Sequence, residues 1–92
     1  MTQTIWKFPI GDQALVAADD IVLHVPEEAT ILTCMEQQGQ PCLWMQVNPE
    51  AKTEVRYFKL FATGQKFDDT GLTYIGTYQL QGYYMFHLYE VK

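Results

Sequence analysis

Along the chain, apolar and aromatic residues recur in short runs rich in Val, Ile, Thr, Tyr, Phe and Trp, separated by Gly, Pro and Asp. Runs of this length and make-up between turn-forming residues are the signature of β-strands. Seven can be read: Thr4–Ile10, Ile21–Val25, Ala29–Glu36, Pro41–Asn48, Thr53–Ala62, Leu72–Leu80 and Tyr83–Val91. No internal repeat, low-complexity segment or linker interrupts them, and no gap between runs exceeds about ten residues. The pattern predicts an all-β fold over residues 1–92, a small antiparallel sandwich or partly open barrel of about six or seven strands. At most one short helix fits, at Asp12–Ala18, where Asp12 can cap the run Gln13-Ala14-Leu15-Val16-Ala17-Ala18. The same residues fit an extended segment leading into the second strand.

Two hairpins carry enough turn chemistry to be read residue by residue. The first folds about Gln37-Gln38-Gly39-Gln40, where Gly39 supplies the positive φ a tight turn needs. A two- or four-residue loop places Cys34 opposite Leu43 and Met35 opposite Cys42. Thr30, Leu32, Cys34, Leu43, Met45 and Val47 then share the core face, and Ile31, Thr33, Met35, Cys42, Trp44 and Gln46 the other. Cys34 and Cys42 fall on opposite faces, which predicts two thiols and no disulfide. The second hairpin turns at Gln81-Gly82, pairing Leu80 with Tyr83, Tyr78 with Met85, Gly76 with His87 and Tyr74 with Tyr89. Large apolar groups then stand on both of its faces, as in a strand pair covered on both sides or one that meets a partner.

Composition narrows the function classes. The chain has 92 residues, 48% hydrophobic and 18% charged, with a net charge of −5. One small core is within reach without a metal or disulfide. The negative field repels phosphate backbones, and Arg56 is the only arginine, so duplex nucleic acid is not an expected partner. Met1-Thr2-Gln3-Thr4-Ile5-Trp6-Lys7 lacks the pattern of a signal peptide, and no apolar run approaches the roughly 18 residues a membrane helix needs. The reading is a cytoplasmic protein without a membrane partner. The sequence contains no serine, which removes serine-nucleophile chemistry.

His87, opposite Gly76 and flanked by Tyr74, Tyr78, Met85 and Tyr89, suggests a tyrosine-walled pocket with an imidazole at its floor. The plainer alternative is that the glycine only makes room for a packed imidazole. Arg56, Tyr57, Phe58 and Lys59 concentrate scarce positive charge beside aromatics, as a nucleotide-like ligand would require. An edge strand whose cationic stems cover apolar surface has the same composition. His24, His87, Cys34 and Cys42 lack the spacing of a zinc site, and no cofactor is implied. Nothing near Cys42 would activate it as a nucleophile. The pairs Asp19-Asp20, Glu27-Glu28 and Asp68-Asp69 lack calcium-loop spacing and read as solvated loop charge. The two Trp, six Tyr and five Phe exceed what one small core comfortably buries. A surface that finishes its burial in a homo-oligomer or on a partner therefore outranks a catalytic cleft.

Ile5-Trp6-Lys7-Phe8-Pro9, Pro41-Cys42-Leu43-Trp44, Gly64, Tyr74-Ile75-Gly76-Thr77-Tyr78-Gln79-Leu80 and Phe86-His87-Leu88-Tyr89-Glu90-Val91 together resemble a family of proteins of about 90 residues encoded by bacteriophages and prophages, a domain of unknown function. The resemblance covers nearly the whole chain. It implies a phage-type protein in the host cytoplasm, and it brings no catalytic residues with it. The leading expectation is a non-enzymatic accessory protein that inhibits or modulates a host factor, such as a defence protein, through an aromatic-rich surface. One alternative is a sponge for a nucleotide immune signal, built on Arg56, Tyr57, Phe58, Lys59 and the pocket of Tyr74, Gly76, Tyr78, His87 and Tyr89. The other is a small hydrolase with His87 as base.

Overall fold

The computed structural model describes residues 2–10 and 20–92, and the segment read as helix or extended chain, Asp12–Ala18, lies outside them. Seven strands form: β1 (Thr4–Pro9), β2 (Ile21–Pro26), β3 (Thr30–Gln37), β4 (Gln40–Val47), β5 (Thr53–Ala62), β6 (Leu72–Leu80) and β7 (Tyr84–Val91). They make two antiparallel sheets, ordered β1-β4-β3 and β2-β5-β7-β6. The sheets do not close into a barrel, and the architecture is a small all-β sandwich without a helix among the described residues.

Alternation places one residue in two of each strand between the sheets. Ile21, Leu23 and Val25 of β2, Phe58 and Leu60 of β5, Leu88 of β7, Tyr78 and Leu80 of β6, Cys34 of β3 and Leu43, Met45 and Val47 of β4 form one buried cluster, joined by Ile10 and Ala29. Phe58, Leu43, Met45 and Leu88 are fully enclosed, each contributing about 1.5–3 kcal/mol of transfer free energy. Arg56 lies on the same inner face and is held by a two-pronged ion pair: Nε and Nη2 donate to the Glu90 carboxylate at 2.6 and 2.7 Å, and Nη1 donates to the Ala29 carbonyl at 2.6 Å. With Nε and both Nη atoms each donating one hydrogen bond, the guanidinium can sit in this half-buried position.

The first hairpin turns through Gln38 and Gly39, both at positive φ, with Gln37 paired to Gln40. Cys34 faces Leu43 and Met35 faces Cys42, and both thiols are free. The expected face fails further along, because a bulge at Leu32 inserts one extra residue. Ile31 takes the place opposite Met45 and packs on the core, whereas Leu32 is 46% exposed.

The second hairpin departs more. Its loop holds Gln81, Gly82 and Tyr83, so Leu80 pairs with Tyr84, and the register runs one residue off the expected one as far as Gly76 opposite Leu88. A bulge at Ile75 absorbs the difference, and Tyr74 still pairs with Tyr89. The pairing of Gly76 with His87 is therefore corrected: Thr77 faces His87, and Gly76 turns inward with Tyr78 and Leu80. Gly76 makes room for a different group. A Cβ built on it would stand 2.8 Å from Cys34 Sγ of β3, so the glycine lets the two sheets meet where β3 lies on β6.

Candidate functional site

With the inner face filled, the informative surface is the outer face of the four-stranded sheet. A solvent-facing sheet surface is ordinarily polar. Here β5 sends out Val55, Tyr57, Lys59 and Phe61, β7 sends out Met85, His87, Tyr89 and Val91, and β6 contributes Leu72, Tyr74 and Thr77. The β5–β6 connection folds back over this face and lays Phe67 on Phe61, with ring centroids 3.8 Å apart and planes within 10°. Tyr89 meets both rings, at 5.5 Å from Phe61 and 5.2 Å from Phe67, and Tyr74 meets Tyr89 edge-on at 5.4 Å. Four rings thus form one continuous cluster. Phe61 is buried beneath it, while Phe67 and Tyr74 remain 41% and 54% exposed.

Local hydrogen bonds hold the connection in place. Gln65 N donates to the Ala62 carbonyl, its side-chain oxygen accepts from Ala62 N, and Lys92 N donates to the Gly71 carbonyl. Asp68 Oδ1 accepts from Thr70 N at 2.9 Å and from Thr70 Oγ1 at 2.7 Å, which keeps the carboxyl below its ordinary pKa and ionised. Gly64 and Gly71 bracket the segment at positive φ, where a side chain would be strained. Between this connection and the sheet lies an open cleft of about 360 Å³, with Phe61, Leu72 and Val91 apolar and Lys59, Asp68 and Thr70 polar in its lining. Lys59 already faces a carboxylate, Asp20 Oδ1, at 3.2 Å.

His87 lies on the same face. Its Nε2 shares a hydrogen bond with Thr63 Oγ1 at 2.8 Å and its Nδ1 with Thr77 Oγ1 at 2.9 Å; Thr77 Oγ1 in turn lies 2.6 Å from the Tyr74 hydroxyl. Both ring nitrogens are thus tied to neutral hydroxyls, and the histidine fastens β7 to β6 and to the start of the connection. Neither partner is a carboxylate that would orient and charge the ring as a general base requires.

The residues proposed from sequence therefore divide between two faces. Tyr57, Lys59, Tyr74, His87 and Tyr89 are on the outer face, and Tyr74 and Tyr89 belong to the ring cluster. Phe58 is completely enclosed and Tyr78 is 4% exposed, so neither lines a surface; Arg56 is engaged by Glu90, and Gly76 abuts Cys34. The physical reason is the alternation itself: consecutive residues such as Tyr57 and Phe58 point to opposite faces, and the bulge at Ile75 sends Gly76 and Tyr78 inward. Phe61, Phe67, Thr63 and Asp68 were missed. Phe61 shares the parity of Tyr57 and Lys59, but the return of Phe67 onto it depends on how the loop between Gly64 and Gly71 closes. Among the described residues no group of three or more His, Cys, Asp or Glu is placed to hold a metal ion, and no helix is long and apolar enough to cross a membrane.

Fold and site define a small β-sandwich with an aromatic outer sheet face. The whole chain, residues 1–92, matches the family described as Domain of unknown function (DUF7352), and the protein belongs to that family. Neither a curated protein nor a solved structure gives a significant match.

Proposed function

We propose that this protein is a non-enzymatic binding protein that grips a protein partner with the outer face of its β2-β5-β7-β6 sheet. In the phage or prophage setting that the sequence resemblance implies, the partner is a host factor, such as a defence protein, which the bound domain inhibits or modulates. The observation that carries this reading is the cluster of Phe61, Phe67, Tyr89 and Tyr74 on a solvent-facing sheet surface, rings of the kind that anchor protein interfaces. Completion of the same face by a second copy is the homo-oligomeric form of the reading, and light scattering at micromolar concentration separates the two.

The nucleotide sponge has less support, because Arg56 and Phe58 point inward and Lys59 faces Asp20. A hydrolase has less still, since His87 meets only threonine hydroxyls. The test is differential capture from host lysate. Wild type, a Phe67→Ala/Tyr74→Ala variant and a Leu32→Ala/Met35→Ala variant on the other sheet serve as parallel baits. The reading requires a protein retained by the first and third and lost by the second. Equal retention by all three would overturn it, as would a melting shift with a nucleotide that is recovered intact after denaturation.

A further inference from the structure

The cleft beside Phe67 carries its own chemical preference. One wall is the exposed ring of Phe67, which stacks on Phe61, and Leu72 and Val91 supply apolar contact. Asp68 also lines the cleft; its Oδ1 is committed to Thr70, and its Oδ2 has no partner among the described residues. An occupant must therefore present a flat or slender apolar body and a terminal hydrogen-bond donor. An anion meets the wrong field: the chain carries −5, Asp68 lines the cleft, and Lys59, the cation in its lining, is held by Asp20. A neutral aromatic ring would fill the wall but gain nothing from the carboxylate, which water already solvates.

From this charge and shape complementarity we infer that the cleft of Lys59, Phe61, Phe67, Asp68, Leu72 and Val91 receives an arginine side chain of a basic protein segment. The guanidinium packs against the exposed part of the Phe67 ring, its stem lies along Leu72 and Val91, and its N–H groups donate to Asp68 Oδ2. Arginine fits better than lysine, because its planar head can stack and donate at the same time. This partner assignment rests on the outer sheet face being the binding surface.

The test is a titration of the isotope-labelled full chain, followed by amide chemical shifts, with the capped tripeptide Gly-Arg-Gly and with Gly-citrulline-Gly, which keeps the shape and removes the charge. The inference requires shifts centred on residues 67–72 and 91, with the citrulline peptide bound about fivefold more weakly or worse. Asp68→Asn, which keeps an acceptor for Thr70, must abolish that preference, and Phe67→Ala must abolish the shifts. Equal binding of the two peptides, or shifts centred elsewhere, overturns the inference and leaves the binding face standing. No shift up to about 20 mM also overturns it. If the captured partner in addition survives Phe67→Ala/Tyr74→Ala, the binding-face reading fails with it.

Discussion

Replacing Gly76 by alanine tests the register on which the placement of the whole site depends. If Gly76 faced His87 on the outer surface, an added methyl would enter open space, and alanine would favour the strand by about 0.5–1 kcal/mol over glycine. In the structure the new Cβ lands 2.8 Å from Cys34 Sγ, inside van der Waals contact, and Cys34 is only 7% exposed. Overpacking of this kind costs about 1–3 kcal/mol. Set against the gain in strand propensity, the variant is expected to lose about 1–2 kcal/mol, or roughly 4–15 °C of melting temperature for a domain of this size. Cys34→Ala alone should cost about 1 kcal/mol through lost packing. The double variant should be no less stable than Gly76→Ala alone, giving a coupling of about 1 kcal/mol or more in a urea-denaturation cycle. Additive effects, or a Gly76→Ala variant as stable as wild type, would refute both the inward glycine and the bulge at Ile75.

The Tyr78 hydroxyl is buried without a hydrogen-bond partner among the described residues, so Tyr78→Phe is expected to stabilise by about 1–2 kcal/mol in chemical denaturation. Burial, and secondarily the nearby Cys34, raise the Tyr78 phenol well above its ordinary value. The folded state therefore holds that proton longer than the unfolded state: the stabilising difference is complete below about pH 10 and is lost above it at up to about 1.4 kcal/mol per pH unit. Tyr78→Phe should flatten that alkaline slope. Arg56→Lys loses the fork to Glu90 and the bond to the Ala29 carbonyl, and should cost about 2 kcal/mol, measured by thermal or urea unfolding. Burial raises both thiols, with Lys7 partly offsetting the effect at Cys42, so Cys34 and Cys42 should react with Ellman's reagent at neutral pH far more slowly than in denaturant.

The strands were legible because their period is two and their ends are marked by Gly, Pro and Asp, and the turn at Gln38-Gly39 was legible because Gly39 suits positive φ. Both bulges escaped the pattern. At Leu32 the competing residues Ile31 and Leu32 are equally apolar, so hydropathy could not choose which enters the core. At Ile75 the extra residue in β6 only compensates for Tyr83 in the loop, and such paired shifts leave no local mark. The site suffered most from this, since a shift of one residue exchanges the two faces of a strand and moved Gly76 and Tyr78 away from His87. Tyr74 and Tyr89 kept their places because they lie beyond the bulge, where the register is restored. The ring stack of Phe61 on Phe67 depends on a loop closure that no alternation pattern encodes.

The proposed partner surface is the aromatic outer face of the four-stranded sheet. The most direct test is calorimetric titration of the captured partner against wild type, Phe67→Ala/Tyr74→Ala and Leu32→Ala/Met35→Ala, with folding of each confirmed by its melting curve. Loss of two anchoring rings should weaken binding about tenfold or more, while the pair on the opposite sheet leaves it unchanged. Unchanged affinity after removal of Phe67 and Tyr74, with binding lost instead on removal of Leu32 and Met35, would place the partner surface on the other sheet and rule out the outer face of the four-stranded sheet.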